Sequence, residues 1–226
     1  MQPIIDTLSK IQLSTGAHDT PDNDMCVMEC VAYVAGEEHS DKPQCACEVV
    51  TQVAIYANDN YLPALGEGLA RRVVELAGSK VDMEARIERT YFLVDQVVRS
   101  LLPAAFQATA PDIAAKLRAL PVIDSHEKIP YLKLAQLDME SLQAPHDAAL
   151  FAGEVREAIG ALRMNQCGNA AFYMAQLLDY ANANVDVLKL IDQLLAIGRK
   201  ADAAPTPEMK LRIAMLATRF TLPVPA

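Results

Sequence analysis

The sequence predicts an all-α fold, a single-domain multi-helix bundle with a polar Cys/His loop region near the N-terminus. Apolar residues, mostly Ala, Leu and Val, make up 52% of the 226 residues, whereas aromatic residues make up 5% and Trp is absent. This composition favours closely packed helices over a β-sandwich. From residue 63 onward, apolar residues recur every three or four positions, as they do on one face of a helix.

Capping and helix-breaking residues indicate where the helices begin and end. Residues 1–13 form either a weakly amphipathic helical turn or an edge segment. The polar run 22–24 is suited to cap a helix that starts near Met25, and Gly36 is suited to end it. The helices predicted in this way cover residues 25–35, 46–60, 65–77, 82–102, 111–120, 146–163, 166–199, with a break near Asn182, and 207–219.

We assign all of these helices to one domain, residues 1–226, because the sequence shows no internal repeat. Its motif region covers 18–60. Residues 121–145 contain three prolines and are predicted to form a long, partly irregular connection, although 131–142 could form a helix. A C-terminal helix and a tail occupy 200–226.

Charge and cysteine content limit the classes of function. The net charge of −9 argues against direct binding of nucleic acid, whose phosphates attract basic proteins. The sequence has neither an apolar run long enough for a membrane span nor the features of a signal peptide. Five cysteines cannot all pair in internal disulfides, which favours reduced thiols or metal ligands. We therefore expect a soluble, cytoplasmic protein.

The side chains that could carry chemistry concentrate between His18 and Cys47. This stretch holds four of the five cysteines and two of the four histidines. Polar groups at this density are costly to bury unless they are paired with one another or with a ligand. We therefore predict that two N-terminal polar loops and the first two helices build one polar pocket. The residues concerned are Cys26, Glu29, Cys30, His39, Asp41, Cys45 and Cys47.

Cys26 is the candidate for a reactive thiol. It lies in the first turn of its predicted helix, where free N–H groups and the helix macrodipole lower the pKa of a thiol. If the second loop folds back over this turn, His39 oriented by Asp41 would complete a cysteine-nucleophile site. The alternative is plain packing, because free cysteines are commonly buried as small hydrophobic residues.

A metal site is a second candidate chemistry for the same stretch. Cys45 and Cys47 form a CxC pair, and adding His39 and Cys26 would complete a four-ligand zinc set. The CxC spacing is not a recognised zinc signature. The alternative is that the protein binds no cofactor. His39 by itself could equally be a solvated loop residue.

Two adjacent arginines offer an anion site. Arg71 and Arg72 could bind an anionic ligand, because a guanidinium group recognises phosphate through two parallel hydrogen bonds. Acidic residues are interleaved with the basic ones over 71–99, so a solvated helix face with ion pairs such as Asp95–Arg99 is the alternative. The predicted ligand-binding residues are Cys26, Glu29, His39, Asp41, Arg71 and Arg72.

The stretch MCVMECVAYVAGEEHSDKPQCACEVV carries a family resemblance. It resembles uncharacterised proteins from actinobacteria and bacteriophages that share the pattern MCVMExVAYVAGExxSDxPxCxCxV. The likeness is specific over residues 15–60 and fainter in ERTYFLVDQVVRSLLP and LIDQLLAIGR. It implies kinship without a mechanism, and a phage-encoded member would act in the host cytoplasm. The residues that match the pattern include Cys26, Glu29, Tyr33, Gly36, Asp41, Pro43, Cys45 and Cys47.

Three functions remain as hypotheses. The first is a non-catalytic binding protein whose pocket captures a small anionic or nucleotide-like ligand, in a phage setting a host signalling molecule. The second is an enzyme, either a cysteine-nucleophile or a metal-assisted hydrolase. The third is a structural or interaction protein with a zinc-knit loop. We favour the first, and we expect a homo-oligomer from the Ala-rich helix face at 170–197.

Overall fold

The computed structural model is all-α, which confirms the predicted fold class. It describes residues 2–20, 24–140, 147–179, 186–199 and 204–220. Within these ranges the chain forms helices and no β-strands. No helix in the same ranges is long and apolar enough to cross a membrane.

The helices are numbered here in chain order. They are α1 (Gln2–Leu8), α2 (Val27–Ala35), α3 (Glu48–Tyr61), α4 (Gly66–Arg71), α5 (Val73–Ala77), α6 (Met83–Gln96), α7 (Leu102–Phe106), α8 (Pro111–Ala119), α9 (Ile129–Glu140), α10 (Asp147–Arg163), α11 (Cys167–Gln176), α12 (Val187–Ala196) and α13 (Pro207–Phe220). A π-helical turn, Val97–Leu101, lies between α6 and α7, and a 3₁₀ turn, His126–Lys128, precedes α9.

Packing groups these helices into two compact units, which we describe separately. Unit 1 comprises Met1–Val81 and Val187–Ala226, and unit 2 comprises Asp82–Asp186. This grouping does not test the single domain predicted over residues 1–226, which stays a prediction.

Helix α2 is the central helix of unit 1. It packs on α3, α5 and α13, while α1 packs on α4 and α13, and α12 packs on α3. Seven of the nine residues of α2 are buried. A helix that is apolar on most sides needs such cover, and each buried Val or Met side chain contributes about 1.5–3 kcal/mol.

Both ends of α2 are capped, and the C-terminal end matches the prediction. Gly36 adopts a left-handed conformation with φ of 82°, and the N–H groups of Gly36 and Glu37 donate to carbonyls of the last turn. The Nη1 atom of Arg212 on α13 donates to the Tyr33 carbonyl at 3.0 Å. The N-terminal cap is Cys26 and not the polar run 22–24, of which residues 22 and 23 lie outside the described residues.

Two predicted helices are interrupted in the structure. The helix predicted at 65–77 is formed by α4 and α5, which meet at Arg72. The helix predicted at 82–102 starts after the N-cap Asp82 as α6 and widens into the π-helical turn before α7. Pro103 explains the widening, because it has no N–H to donate and its ring presses against the carbonyl one turn earlier.

Unit 2 is built around α10, which packs on α9 and α11, and α11 packs in turn on α6. The structure forms α9 over Ile129–Glu140, so much of the stretch 121–145 is helical. Pro130 does not prevent this, because it lies in the first turn, where no N–H bond is lost. Residues 141–146 and the break near Asn182 lie outside the described residues.

The predicted ion pair within α6 and its π-helical extension is confirmed. Arg99 Nη1 lies 2.9 Å from Asp95 Oδ1, and the same oxygen accepts a hydrogen bond from the Ile123 N–H at 2.8 Å. Arg99 also donates to the Leu120 carbonyl. The pair therefore fixes the segment that follows α8 onto α6.

Candidate functional site

Glu29, on the first turn of α2, is the centre of the polar stretch. Its side chain is 1% exposed. Oε1 accepts a hydrogen bond from the His18 backbone N–H at 2.6 Å, and Oε2 accepts one from the Cys26 N–H at 2.7 Å. His18 Nδ1 lies 2.8 Å from Oε2. A buried carboxylate with this many donors joins the loop before α2 to the start of the helix.

The hydrogen bonds keep Glu29 ionised. Burial by itself raises the pKa of a carboxyl group, but the bonds from the His18 and Cys26 backbone and from the His18 ring outweigh it. The pKa of Glu29 is therefore lowered from its ordinary value. The site holds a negative charge that is enclosed by protein.

His18 and His39 both lie against this carboxylate. His39 Nε2 lies 2.8 Å from the His18 carbonyl oxygen and 3.5 Å from Glu29 Oε1. A carbonyl and an ionised carboxylate can only accept, so His18 Nδ1 and His39 Nε2 each carry a proton and donate it. The two side chains are 20% and 18% exposed.

Helix α3 positions the loop that carries His18. The Asn58 side chain is completely buried, accepts from the Val27 N–H at 3.1 Å and donates to the Ser14 carbonyl at 2.8 Å. Asp59 accepts from the Gly16 N–H at 2.8 Å. These bonds hold residues 14–16 and the start of α2 against the C-terminal end of α3. The chain is therefore fixed both before and after His18.

The predicted activation of Cys26 is wrong. Cys26 is the N-cap of α2, is 3% exposed, and its Sγ accepts from the Glu29 N–H at 3.4 Å. Burial raises the pKa of Cys26 to about 12, and the nearby Glu29 carboxylate adds to the increase. Backbone hydrogen bonds offset only part of this. Burial also raises the pKa of Cys30. Both groups are thiols at neutral pH, because desolvation outweighs the helix macrodipole.

Cys45 and Cys47 make other contacts. Burial and the carboxylate of Glu37 raise the pKa of Cys45 to about 12. Cys47 is the N-cap of α3, and its N–H donates to Ser79 Oγ at 2.9 Å. Among the described residues, no group of three or more His, Cys, Asp or Glu side chains is arranged to hold a metal ion. The predicted zinc ligands Cys26, His39, Cys45 and Cys47 do not form such a group. A zinc site on these residues stays a prediction.

Asp41 and the two arginines have contacts of their own. Asp41 is half-buried and, among the described residues, makes no hydrogen bond or ion pair with Cys26 or His39. Arg71 pairs with Glu67 one turn earlier on α4. Of the predicted ligand-binding residues, the structure therefore brings Cys26, Glu29 and His39 together, and Glu29 also bonds His18, a residue that the sequence did not single out.

Arg72 is held by a bidentate ion pair. Its Nε and Nη2 donate to the two carboxylate oxygens of Asp192 on α12, each at 2.6 Å, and its Nη1 donates to the Gly68 carbonyl at 2.7 Å. An anion that used this guanidinium would have to displace Asp192. The pair therefore joins α12 to the α4–α5 junction within unit 1.

Comparison with models of protein families, with curated proteins and with solved structures gives no match for this chain. The resemblance to actinobacterial and phage proteins stays a prediction.

The role of Cys26 as a helix cap leads to a prediction that separates it from a nucleophile. Cys26→Ser should keep the free energy of unfolding within about 0.5 kcal/mol or raise it, because a hydroxyl is a better N-cap acceptor than a thiol. Cys26→Ala should lower it by about 1 kcal/mol through loss of the cap. Urea denaturation of the three proteins gives these values. Rapid alkylation of Cys26 in the native protein at pH 7 would contradict this role and restore the nucleophile hypothesis.

Proposed function

We propose that the protein is a non-catalytic binding protein and that His18 and His39, held by Glu29, form its binding centre for a small anionic or nucleotide-like ligand. The observation that carries the proposal is a single buried carboxylate beside both imidazoles: Glu29 bonds the His18 ring at 2.8 Å and lies 3.5 Å from the His39 ring, which donates to the His18 carbonyl. Outside a binding or catalytic role, a protein gains little from placing two half-buried histidines around an ionised, enclosed glutamate.

Binding is favoured over thiol catalysis by the state of the cysteines. A nucleophile must be available as a thiolate, and the pKa values of Cys26 and Cys45 are raised to about 12. Cys26 Sγ is also engaged as the acceptor of the Glu29 N–H. The predicted triad of Cys26, His39 and Asp41 therefore finds no support in the contacts around it.

A small ligand is favoured by the way in which the two rings are held. Each imidazole shows only about a fifth of its surface, and its inner nitrogen is already engaged. The loop that carries His18 is fastened through Asn58 and Asp59, so little conformational freedom is lost on binding. Such a centre offers a few fixed polar contacts, as small-ligand sites do. The resemblance to phage proteins extends the proposal to capture of a host signalling molecule.

The experiment compares anion binding by the native protein and by single histidine variants. Inorganic phosphate and a nucleoside monophosphate are titrated by calorimetry into the native protein, His18→Ala, His39→Ala and His126→Ala. His126 is the matched control, because it lies exposed on the 3₁₀ turn of unit 2. We expect at least a tenfold loss of affinity in the first two variants and no change in the control. Absence of binding to the native protein, together with no small molecule released from it by heat, would overturn the proposal.

A further inference from the structure

We infer that the protein forms a weak homodimer in which α13 packs antiparallel on the same helix of a second copy. The contact surface is the outer face of α13, formed by Glu208, Leu211, Met215 and Arg219. The inference concerns unit 1 and goes beyond the proposed function, because it needs no ligand and none of the residues of the binding centre.

The Ala-rich stretch at 170–197, from which the sequence predicts a homo-oligomer, uses its described alanines inside the chain. Ala170, Ala171 and Ala175 on α11 are buried, and α11 packs on α10 and α6 within unit 2. Small side chains that are already covered cannot also contact a second copy. A homo-oligomer therefore needs a surface other than these alanines.

The first support for α13 is that this helix is apolar on two faces. Ile213 and Leu216 are buried on its inner face, where α13 packs on α1 and α2. Leu211 and Met215 lie one turn apart on the outer face, and they are 65% and 51% exposed. A surface helix usually carries one apolar stripe, which faces the core, and a second exposed stripe is typical of an interaction surface.

The second support is the placement of charges at the two ends of the outer face. Glu208 lies in the first turn of α13 and Arg219 in the last, and both are exposed. Steps of three or four residues lead from Glu208 through Leu211 and Met215 to Arg219, and such steps keep side chains on one side of a helix. The face is therefore acidic at one end, apolar in the middle and basic at the other end.

Charge complementarity identifies a second copy as the occupant of this face. If two such faces pack antiparallel about position 213, Leu211 of each chain lies opposite Met215 of the other. The same packing brings Glu208 of each chain beside Arg219 of the other, so two ion pairs flank the apolar centre. A parallel pair would place like charges together at both ends, which is unfavourable. The antiparallel arrangement also brings together opposite ends of the helix macrodipoles.

The small size of the face determines the strength of the association. Two apolar side chains and two charged ones from each chain form a contact smaller than the total of about 1,000 Å² that a stable interface buries. Exposed ion pairs select the orientation more than they add affinity. The net charge of −9 on each chain opposes association further. We therefore expect a monomer in dilute solution and a dimer at high concentration.

Sedimentation velocity of the native chain from about 1 µM to about 1 mM measures the association. The weight-average mass should rise from that of one chain toward that of two. Leu211→Glu should weaken dimerisation by at least about tenfold, because it places two carboxylates at the apolar centre. Leu134→Glu is the matched control, since Leu134 is a comparably exposed leucine on α9 of unit 2, and it should dimerise as the native protein does. Circular dichroism confirms that each variant is folded.

Charge reversal tests the antiparallel orientation. Glu208→Arg and Arg219→Glu should each weaken self-association by about fivefold, because each turns both ion pairs into repulsions. An equimolar mixture of the two variants should associate as the native protein does, since one chain of each kind restores both pairs. In a parallel dimer, like charges would meet before and after either reversal, so neither variant would weaken association.

Three results would overturn the inference. The first is a native protein that stays monomeric at every concentration, which would leave the outer face of α13 to a partner of different sequence. The second is dimerisation that survives Leu211→Glu in folded protein or is lost with Leu134→Glu. The third is association that neither charge reversal weakens. Loss of dimerisation with Leu211→Glu, together with its recovery in the mixture of the two charge variants, would support the inference.

Discussion

Replacing Glu29 with alanine should lower the free energy of unfolding by about 3–5 kcal/mol, the largest effect we expect from a single substitution. The Glu29 side chain is 1% exposed and accepts hydrogen bonds from the His18 N–H, the Cys26 N–H and the His18 ring. Alanine leaves these donors unsatisfied in a buried place and opens a cavity beside them. Urea denaturation, followed by circular dichroism at pH 7, measures the change.

Glu67→Ala is the matched control for this substitution. Glu67 also lies in the first turn of a helix of unit 1, but its side chain is 62% exposed and pairs with Arg71 one turn away. Its removal should cost less than about 0.5 kcal/mol. A loss of less than about 1 kcal/mol for Glu29→Ala would mean that the orphaned donors are satisfied by water, and it would contradict the central position given to Glu29.

The same carboxylate predicts a loss of stability in acid. The folded-state pKa of Glu29 is lowered, so its contribution is present above the unfolded-state value, about 4.3 for a glutamate. It is lost as the pH falls from that value through the lower pKa of the folded state. Between pH 5 and pH 3, native protein should therefore lose more stability than Glu29→Ala does, as measured by denaturation at each pH. Parallel curves would contradict the lowered pKa.

Gly36→Ala should lower the free energy of unfolding by about 2–3 kcal/mol, the second largest effect. Gly36 has φ of 82°, a conformation that costs a residue with a Cβ about 1–2 kcal/mol. A Cβ at this position would also lie 2.7 Å from the guanidinium carbon of Arg212 and 2.5 Å from its Nη1. The guanidinium must then move away, and its hydrogen bond to the Tyr33 carbonyl is lost. Urea denaturation measures the total loss in the free energy of unfolding.

Two further variants separate the backbone cost of Gly36→Ala from the cost of the lost Arg212 hydrogen bond. Gly16→Ala is the matched control, because Gly16 has φ of 80° and a Cβ added there would meet no atom within 4 Å, so it reports the backbone cost alone. Arg212→Ala reports the lost hydrogen bond. In an Arg212→Ala background, Gly36→Ala should cost only about as much as Gly16→Ala does. An unchanged cost in that background would mean that the Arg212 contact contributes nothing to the effect.

These predictions bear on function because α2 supports the candidate site at one end and is held by α13 at the other. Glu29 fixes His18 at the first turn, the His18 carbonyl holds the His39 ring, and Gly36 lets Arg212 close the last turn. Because Gly36 lies at the end of α2 opposite the site, Gly36→Ala should leave the ligand affinity of the folded protein almost unchanged while it lowers stability. Glu29→Gln should weaken binding in protein that is still folded.

Local patterns were sufficient to predict much of the helical structure. The closure of α2 at Gly36 and the Asp95–Arg99 pair depend on residues close in sequence, and the structure contains both. The sequence also showed where Cys, His and carboxylate side chains concentrate, because such residues stand out in a chain rich in Ala, Leu and Val. It did not identify which groups of that stretch meet.

His18 and Asn58 show why the site itself was missed. The role of His18 depends on a loop that returns its backbone N–H and its ring to Glu29, eleven positions later. Asn58 lies at the end of a different helix and reaches Ser14 and Val27 through bonds that span 44 and 31 positions. The polar run at 58–60 near the end of an otherwise apolar helix was the available signal. Such a run is more commonly solvated, and only the packing of α3 shows that Asn58 is buried.

The sequence by itself determined much of the helical structure, the end of α2 at Gly36 and the region where polar side chains concentrate, because these follow from interactions over one or two helical turns. The tertiary structure alone decided that Cys26 caps a helix as a thiol, that Arg72 is held by Asp192, and that His18 and His39 share one carboxylate. The physical reason is that pKa values and hydrogen-bond partners depend on burial and on the path of distant segments, which short-range patterns do not encode.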